Sequence, residues 1–176
     1  MHKLTMEELN RLEVEEFRNA EKNPVILLLD NVRSLHNVGS AFRTGDAFRV
    51  EKILLCGITG TPPNREIHKT ALGATESVSW EYHASSSEAA RALIKEGWKL
   101  IALEQTSGSI PLQTFKPEKN VRYCFVFGNE VSGVEEELIG LAETTLEIPQ
   151  FGTKHSLNIS VSIGIVLWDY FLKISH

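Results

Sequence analysis

Three short segments of the sequence place small and polar residues directly after apolar, strand-like runs. Asn37, Gly39 and Arg43 follow the first run in the spacing N-x-G-x-x-x-R. FGNE occupies residues 127–130, and SLN occupies residues 156–158. In open α/β sheets, ligands gather at the carboxyl ends of the strands. The N–H groups at a helix start also offer hydrogen bonds to a carboxylate or a phosphate. These segments therefore predict a polar ligand site at one edge of a sheet.

Each segment taken alone also has an ordinary structural interpretation. Asn37 would be the N-cap of a helix on which Arg43 is solvated. Gly128 would permit a strand-to-loop turn, or admit a ligand through an unusual backbone conformation. Residues 156–158 would cap a core helix. Gly39 is expected to let a second backbone approach closely.

The elements that must position these residues alternate along the chain. The apolar runs are nearly continuous, which favours strands of a parallel sheet covered on both faces. Strands that alternate with helices predict an α/β fold class, here a mostly parallel six-stranded sheet flanked by helices. The longest irregular stretch, residues 104–120, has the length of a functional loop. The expected strands are 25–30, 52–57, 77–82, 98–103, 123–128 and 145–148, and the expected helices are 5–22, 38–49, 64–72, 86–96, 133–142 and 155–173.

Length and composition exclude several classes of protein. The 176 residues, 42% hydrophobic and 23% charged, are typical of one globular domain. The net charge of −5 lacks the basic footprint of a typical nucleic-acid binder, so any RNA contact requires a local patch. The N-terminus has no apolar signal-peptide core, and no apolar run reaches the length of a membrane span. A cytoplasmic location is therefore expected.

Sequence motifs for several other chemistries are missing. There is no G-x-G-x-x-G after the first strand and no G-x-x-x-x-G-K-[ST]. No cysteine or histidine pair has zinc-ligand spacing, and no metal is predicted. Cys56 and Cys124 lie in apolar runs and are expected to be buried. His36 and His155 lie near the motifs; the ordinary interpretation is a polar loop residue, and His155 is the better candidate for substrate contact.

In this order and spacing, the three segments resemble the three motifs of the SpoU (TrmH-like) family of RNA 2′-O-ribose methyltransferases, in the SPOUT superfamily. The segments are N-x-G-x-x-x-R at 37–43, FGNE at 127–130 and IP…SLNIS at 148–160. The resemblance spans roughly residues 24–171, and KTALGATESV at 69–78 is also similar to the family.

The resemblance implies a fold and a cofactor. The fold has a deep C-terminal trefoil knot, here at about 122–171, in a methyltransferase domain at 24–176 that follows a short helical extension at 1–23. S-adenosylmethionine is held in the knot cleft by backbone groups, while apolar side chains enclose the adenine. Gln150 stands where many relatives have methionine, which puts one local pocket contact in doubt. The cofactor positions that match are Leu103, Gly128, Ile148 and Leu157.

The implied reaction is an in-line transfer of a methyl group from a sulfonium to a ribose 2′-hydroxyl of tRNA or rRNA. Arg43 has two open roles, as the proton acceptor proposed in the family or as a ligand of the neighbouring phosphate that stabilises the alkoxide. An arginine pKa above 12 makes the first role awkward. Asn37 is expected to orient Arg43 or the ribose, Glu130 and Asn158 to fix loops, and Ser156 to bond a loop or the cofactor.

Contact with RNA is assigned to a local basic rim, for which the alternative is a set of solvated surface charges. The main alternative function is an RNA-binding protein of the same fold that binds the cofactor without methylating. The presence of both Asn37 and Arg43 disfavours that alternative. The residues of the expected rim are Arg33, Arg43, Arg65, His68 and Lys69.

The C-terminal helix, 155–173, is apolar nearly all round and predicts a homodimer. Pairing through this helix would bring the Arg43 helix of a second subunit towards the cofactor cleft. The alternative is that helix 5–22 covers the second face within one chain. The first face carries Ile159, Ile163, Val166, Leu167, Tyr170 and Phe171, and the second carries Ile165, Trp168 and Leu172.

Overall fold

Parallel strands form the centre of the protein. The computed structural model describes residues 1–5 and 8–175. Every strand pairing is parallel, which confirms the α/β fold class. The strands are β1 (Asn23–Asp30), β2 (Val50–Cys56), β3 (Trp80–His83), β4 (Lys99–Leu103), β5 (Ile110–Pro111), β6 (Tyr123–Phe127) and β7 (Thr144–Glu147), in the order β3-β2-β1-β6-β4-β7-β5.

Helices cover both faces of this sheet. Side chains of β1 alternate between two apolar clusters, Leu27 and Leu29 in one and Ile26 and Leu28 in the other. The helices are α1 (Val14–Asn19), α2 (Leu35–Ala47), α3 (Arg65–Ala71), α4 (Ala74–Ser77), α5 (Ser86–Lys95), α6 (Glu136–Leu141) and α7 (Ile159–Ile174). Residues of α2, α3 and α7 complete the first cluster, and residues of α5 and α6 complete the second. No helix in the described part of the chain is long and apolar enough to cross a membrane.

The sheet has seven strands where the sequence predicts six. The extra strand, β5, lies in the stretch 104–120 that was expected to be irregular, and Ile110 pairs with Leu146 at the sheet edge. A two-residue strand that ends in proline is too short to show a periodic pattern, and an edge tolerates the missing N–H. The knot at 122–171 stays a prediction, because strand order alone does not establish how a chain threads.

The predicted helix at 5–22 is largely wrong. The helix in this region is α1, and Asn10 before it has a left-handed φ of 46°. Leu9 and Leu12 are exposed, whereas Phe17 is buried in the core. Short helices draw most of their stability from packing, and these two leucines supply none. Met6 and Glu7 of the predicted helix lie outside the described residues.

Two other helices begin at different residues from those expected. Ser34, rather than Asn37, is the N-cap of α2, since its Oγ accepts a hydrogen bond from the N–H of Asn37 at 3.2 Å. Asn158 is the N-cap of α7, and its Oδ1 accepts from the N–H of Ser160 at 2.8 Å, so this helix starts at residue 159 instead of 155. The expected strand at 77–82 starts later, at residue 80, because α4 occupies residues 74–77.

Gly39 allows α2 to pack tightly against α3, as the sequence predicts. A Cβ atom at this position would lie 2.1 Å from Oγ1 of Thr70 and 2.2 Å from the carbonyl oxygen of Ile67. This contact sets the position of the helix that carries Asn37 and Arg43.

Both cysteines are buried, as expected from their apolar surroundings. Burial, with a smaller contribution from the charge of Asp30, raises the pKa of Cys56 to about 12. Burial also raises the pKa of Cys124. Neither thiol ionises near neutral pH, so both behave as small apolar side chains.

Candidate functional site

An open cleft with a volume of about 170 Å³ lies at the carboxyl ends of β4, β6 and β7. Leu103 ends β4, Gly128 follows β6, and Ile148 follows β7. Leu157 enters from the segment before α7. All four residues line the cleft, so the structure brings together every position expected to hold the cofactor. The carboxyl end of a parallel sheet is where such folds bind ligands.

The lining of the cleft combines apolar and polar residues in similar measure. Phe127, Leu146 and Ile159 are apolar, and Glu147 and Ser162 are polar. Apolar surface together with polar groups that can orient a ligand is typical of a small-molecule site. Within residues 1–5 and 8–175, no three histidine, cysteine, aspartate or glutamate side chains come together as a possible metal site.

Gly128 is required for a different reason from those that the sequence suggested. A Cβ atom here would lie 2.1 Å from the carbonyl carbon of Gly133 and 2.2 Å from the nitrogen of Val134. The chain turns back after β6 and bonds to itself, since Asn129 and Gly133 exchange backbone hydrogen bonds of 2.9 and 3.0 Å. Close approach of the backbone within the 128–134 turn therefore excludes any larger residue at position 128.

Glu130 connects this turn to the start of α2. One carboxylate oxygen accepts from the N–H of Arg33 at 2.9 Å, and the other accepts from the N–H of Ser34 at 2.9 Å and from Nδ2 of Asn37 at 3.0 Å. Burial by itself raises the pKa of Glu130, but these donors outweigh it, so the pKa lies below its ordinary value. Glu130 is therefore an ionised acceptor that holds the start of α2, where the N-x-G-x-x-x-R segment begins, in place.

Asn158 extends this connection to the third motif. Its Nδ2 donates to Oδ1 of Asn37 at 3.1 Å. Asn37 is 7% exposed, and its side-chain amide is thus shared between Glu130 and Asn158. A continuous chain of hydrogen bonds joins three segments that lie 93 and 121 residues apart in sequence. We call Asn37, Glu130 and Asn158 the motif triad.

Arg43 does not join the motif triad. It is exposed, and it lies six residues after Asn37, which places it about 9 Å further along the axis of α2. It lines a second groove, with Leu12, Phe17 and Leu72, between the N-terminal segment and α3–α4. The hydrogen bonds described for Asn37 do not reach Arg43, so the expected orientation of Arg43 by Asn37 finds no support within one chain.

The other expected RNA-binding residues lie on the surface around α2 and α3. Arg33, Arg65, His68 and Lys69 are all exposed, and none of them is among the described residues that line the cleft. Nζ of Lys69 lies 2.7 Å from the carboxylate of Glu66, and the resulting hydrogen bond lowers the pKa of Glu66. Exposed pairs of this kind contribute little to stability.

Two residues that sequence reasoning missed shape the cleft. The carboxylate of Glu104 accepts from the N–H of Gln105 at 2.9 Å and from the N–H of Val134 at 3.0 Å. Nε2 of Gln105 donates to the carbonyl oxygen of His155 at 2.8 Å and so ties down the segment before α7. Both line the cleft, and the signal for them was their position directly after a predicted strand.

The last helix, α7, has one buried and one exposed apolar face. Ile163, Val166, Leu167 and Tyr170 are buried, as expected. Phe171 was expected on the buried face but is exposed; its ring centroid lies 6.0 Å from that of Phe48, at the end of α2. Within the described residues the N-terminal segment does not cover the second face, because α1 contacts α4 and Ile165, Trp168 and Leu172 stay exposed. Exposed side chains recur at positions four, three and four apart, and we call Val161, Ile165, Trp168 and Leu172 the α7 stripe.

Comparison with known proteins decides the family. The model of the SpoU rRNA methylase family matches residues 24–168. The chain belongs to the SpoU rRNA methylase family. The segment that matches this family contains the cleft, the motif triad and Arg43.

Two relatives named as RNA 2′-O-methyltransferases are about 30% identical to the chain in sequence. A 23S rRNA (guanosine-2′-O-)-methyltransferase RlmB of Neisseria meningitidis is 30% identical over 85% of this chain and 58% of its own length. A tRNA (guanosine(18)-2′-O)-methyltransferase of Thermus thermophilus is 29% identical over 92% of this chain and 81% of its own. The chain thus spans less than two thirds of two of the RlmB relatives, at 58% and 64% of their length.

Solved structures show the same fold. The crystal structure of an AdoMet-bound rRNA methyltransferase from Sinorhizobium meliloti has a TM-score of 0.78 at 28% identity, covering 87% of this chain and 58% of that one. The TrmH/SpoU tRNA modifying enzyme of A. aeolicus has a TM-score of 0.80 at 23% identity, covering 91% of this chain and 81% of that one. The similarity to the A. aeolicus structure, at 23% identity, shows the fold alone.

Proposed function

We propose that this SpoU-family protein transfers a methyl group from S-adenosylmethionine to a ribose 2′-hydroxyl in tRNA or rRNA. The observation that carries the proposal is the cleft, which is lined by all four expected cofactor positions and adjoins the motif triad. Two groups of similar proteins support both the reaction and the substrate class. They are relatives named as 23S rRNA and tRNA guanosine 2′-O-methyltransferases, and an AdoMet-bound rRNA methyltransferase.

The residues of the cleft fit this cofactor. Leu103, Ile148 and Leu157 provide an apolar enclosure for a purine ring, while backbone groups at the ends of β4 and β7 and before α7 offer donors and acceptors. Ser156, which also lines the cleft, is placed to bond the methionine portion or a loop. When bound, S-adenosylmethionine supplies an electrophilic methyl group on a sulfonium, and no metal is called for.

The motif triad positions the site and does not exchange protons. Glu130 has a lowered pKa and remains ionised at neutral pH, where its oxygens already accept three hydrogen bonds. Asn37 and Asn158 do not ionise. Their effect is to fix the start of α2 and the start of α7 beside the cleft, and such positioning contributes to the rate of a methyl transfer that requires three atoms in line.

Arg43 is the residue that would act on the substrate. The guanidinium of Arg43 is suited to bind the phosphate next to the target ribose and to stabilise negative charge on the 2′-oxygen. The alternative role, removal of the hydroxyl proton, requires a pKa far below that of an ordinary arginine.

We further propose that Arg43 acts at the cleft of a second copy of the chain. The α7 stripe is an exposed apolar surface of the kind that marks an interface. Trp168 of the stripe packs against Phe48, five residues after Arg43, with ring centroids 6.4 Å apart. The other end of α7, at Ile159 and Ser162, lines the cleft. A two-fold pairing through α7 thus places the Arg43 helix of each copy near the cleft of the other.

A methyl-transfer assay tests the proposed function. The purified protein is incubated with labelled S-adenosylmethionine and with bulk tRNA or rRNA from a strain that lacks the gene. We expect 2′-O-methylated nucleosides in the RNA digest. Cofactor binding without methyl transfer to either RNA would instead favour the non-methylating alternative. The cytoplasmic location and the expected domain boundary at residue 24 stay predictions.

A further inference from the structure

Phe151 is an aromatic side chain in full contact with solvent beside the cleft. It is 98% exposed, more than any other described aromatic residue. Its neighbour Gln150 lines the cleft, and so does Ser156 further along the same segment, but Phe151 is not among the lining residues described. The ring therefore stands on the rim of the cleft and outside its wall.

The segment that carries Phe151 is held at its C-terminal end. Asn158 bonds to Asn37, and Gln105 bonds to the carbonyl oxygen of His155 at 2.8 Å. Between Pro149 and Leu157 the sequence PQFGTKHSL has no acidic residue, and Lys154 and His155 are exposed. A segment with an exposed lysine and an exposed ring, on a protein with a net charge of −5, is complementary to a nucleotide, which has both a phosphate and a π-face.

The other exposed aromatic rings differ from Phe151 in having partners. Trp168 and Phe171 stack on each other, and both rings meet Phe48 in a tilted arrangement. Tyr82 is held by a hydrogen bond from its hydroxyl to the carbonyl oxygen of Gly57. The apolar residues of the cleft, in turn, are the ones that we assign to the cofactor. Phe151 is thus the exposed ring that is placed to meet whatever enters the cleft from solvent.

We propose that Phe151 is the stacking platform for an unpaired base of the RNA substrate, at or next to the target nucleotide. The inference rests on the proposed function, because a ribose that reaches the cleft brings its own base and the neighbouring bases to this rim. Stacking on an aromatic ring tolerates any base, so Phe151 holds the RNA strand without selecting its sequence. It also keeps the target nucleotide unstacked from its neighbours, as recognition of single-stranded RNA requires.

The test compares Phe151→Ala, Phe151→Leu and Phe151→Trp in two assays on the full chain. The first assay measures binding of a single-stranded RNA oligonucleotide that contains 2-aminopurine, whose fluorescence reports stacking. The second measures KM and kcat for methyl transfer to bulk tRNA and rRNA from a strain that lacks the gene. Ile94→Ala on α5 is the matched control, since it removes an exposed apolar side chain elsewhere.

We expect Phe151→Ala and Phe151→Leu to weaken oligonucleotide binding and to raise KM for RNA about tenfold, with the affinity for S-adenosylhomocysteine and kcat little changed. Phe151→Trp should restore both values, and Ile94→Ala should match the wild type. If Phe151→Leu bound the oligonucleotide and methylated RNA like the wild type, the side chain would make only an apolar contact with RNA, and the stacking proposal would be overturned.

Two further results would overturn the inference. Loss of S-adenosylhomocysteine affinity in Phe151→Ala would assign the ring to the cofactor, and dissociation of a dimer would assign it to the second copy. Normal methyl transfer by both the wild type and Phe151→Ala would remove this inference and leave the proposed function standing. Absence of methyl transfer by the wild type would remove the proposed function itself.

Discussion

The two ends of helix α2 differ sharply in their surroundings. At its start, Asn37 is buried and both ends of its amide are bonded, to Glu130 and to Asn158. Two turns later, Arg43 is exposed and faces a separate groove. Both residues belong to the same sequence motif, yet Asn37 is bonded within the motif triad and Arg43 is not.

This difference separates two tasks that we propose for the motif. The cleft proposed to hold the cofactor and the motif triad come from β4, β6, β7, α2 and α7 of one copy, and we call them the cofactor half of the site. Arg43, which we propose to act on RNA, does not line this cleft and lies in a separate groove. A second copy that supplies Arg43 would complete the site.

The largest expected effect follows from Arg43→Ala. If this guanidinium stabilises charge on the 2′-oxygen, kcat for methyl transfer should fall about 10²- to 10³-fold. The affinity for S-adenosylhomocysteine, measured by calorimetry, should be unchanged, because the cleft does not contain Arg43. Arg91→Ala on α5 is the matched control. A parallel loss of cofactor affinity would show that Arg43 belongs to the cofactor half.

The next effect concerns the α7 stripe. Trp168 is 53% exposed, so Trp168→Glu should leave the fold of one copy intact while it places a charge in the proposed interface. We expect light scattering to report a monomer, and methyl transfer at micromolar protein to fall at least about tenfold. Ile58→Glu, at another exposed apolar position, should change neither. An active monomeric Trp168→Glu would mean that one copy is sufficient.

A smaller, structural effect is expected of Asn37→Ala. The change removes one hydrogen bond from Glu130 and one from Asn158, which should lower the free energy of unfolding by about 1–3 kcal/mol. Unlike Arg43→Ala, it should weaken cofactor binding as well as methyl transfer. Denaturant titration and calorimetry measure both quantities. Unchanged stability would contradict the role of the motif triad.

The smallest effect is the pH dependence that Glu130 contributes. Its pKa is lower in the folded state than the ordinary value of about 4.3, so its stabilising effect is complete above that value and is lost as the pH falls through the folded pKa. Glu130→Gln should therefore be less stable than the wild type at pH 7, and the difference should shrink below about pH 4. Thermal melts over this range measure it, and a constant difference would mean that charge is not involved.

The four positions that the family resemblance assigns to the cofactor lie together in the structure, and for three of them the reason is physical. Leu103 ends a strand, Gly128 and Ile148 follow strands, and the carboxyl ends of parallel strands meet at one edge of the sheet. The partners of Asn37 could not be derived in this way, because Glu130 and Asn158 are distant in sequence and no local pattern encodes such contacts. The exposure of Arg43 likewise depends on how α2 packs.

The errors in the fold have equally local causes. Strand β5 has two residues, too few for a periodic pattern, and it is held by its pairing to β7. The helix expected at 5–22 lacks an apolar face that packs, since Leu9 and Leu12 are exposed. Where apolar runs were long and buried, as in β1, β2 and β6, the predicted strands agree with the structure to within two residues.

Mixing of two inactive variants tests most directly whether the site is shared between copies. Arg43→Ala keeps an intact cleft, and Leu157→Arg blocks the cleft but keeps Arg43. If the copies exchange and each cleft uses the Arg43 of its partner, an equal mixture should recover about one quarter of the wild-type activity, because half of the dimers are mixed and each has one complete site. No recovery above the two separate variants, in a mixture shown to contain mixed dimers, would contradict a shared site.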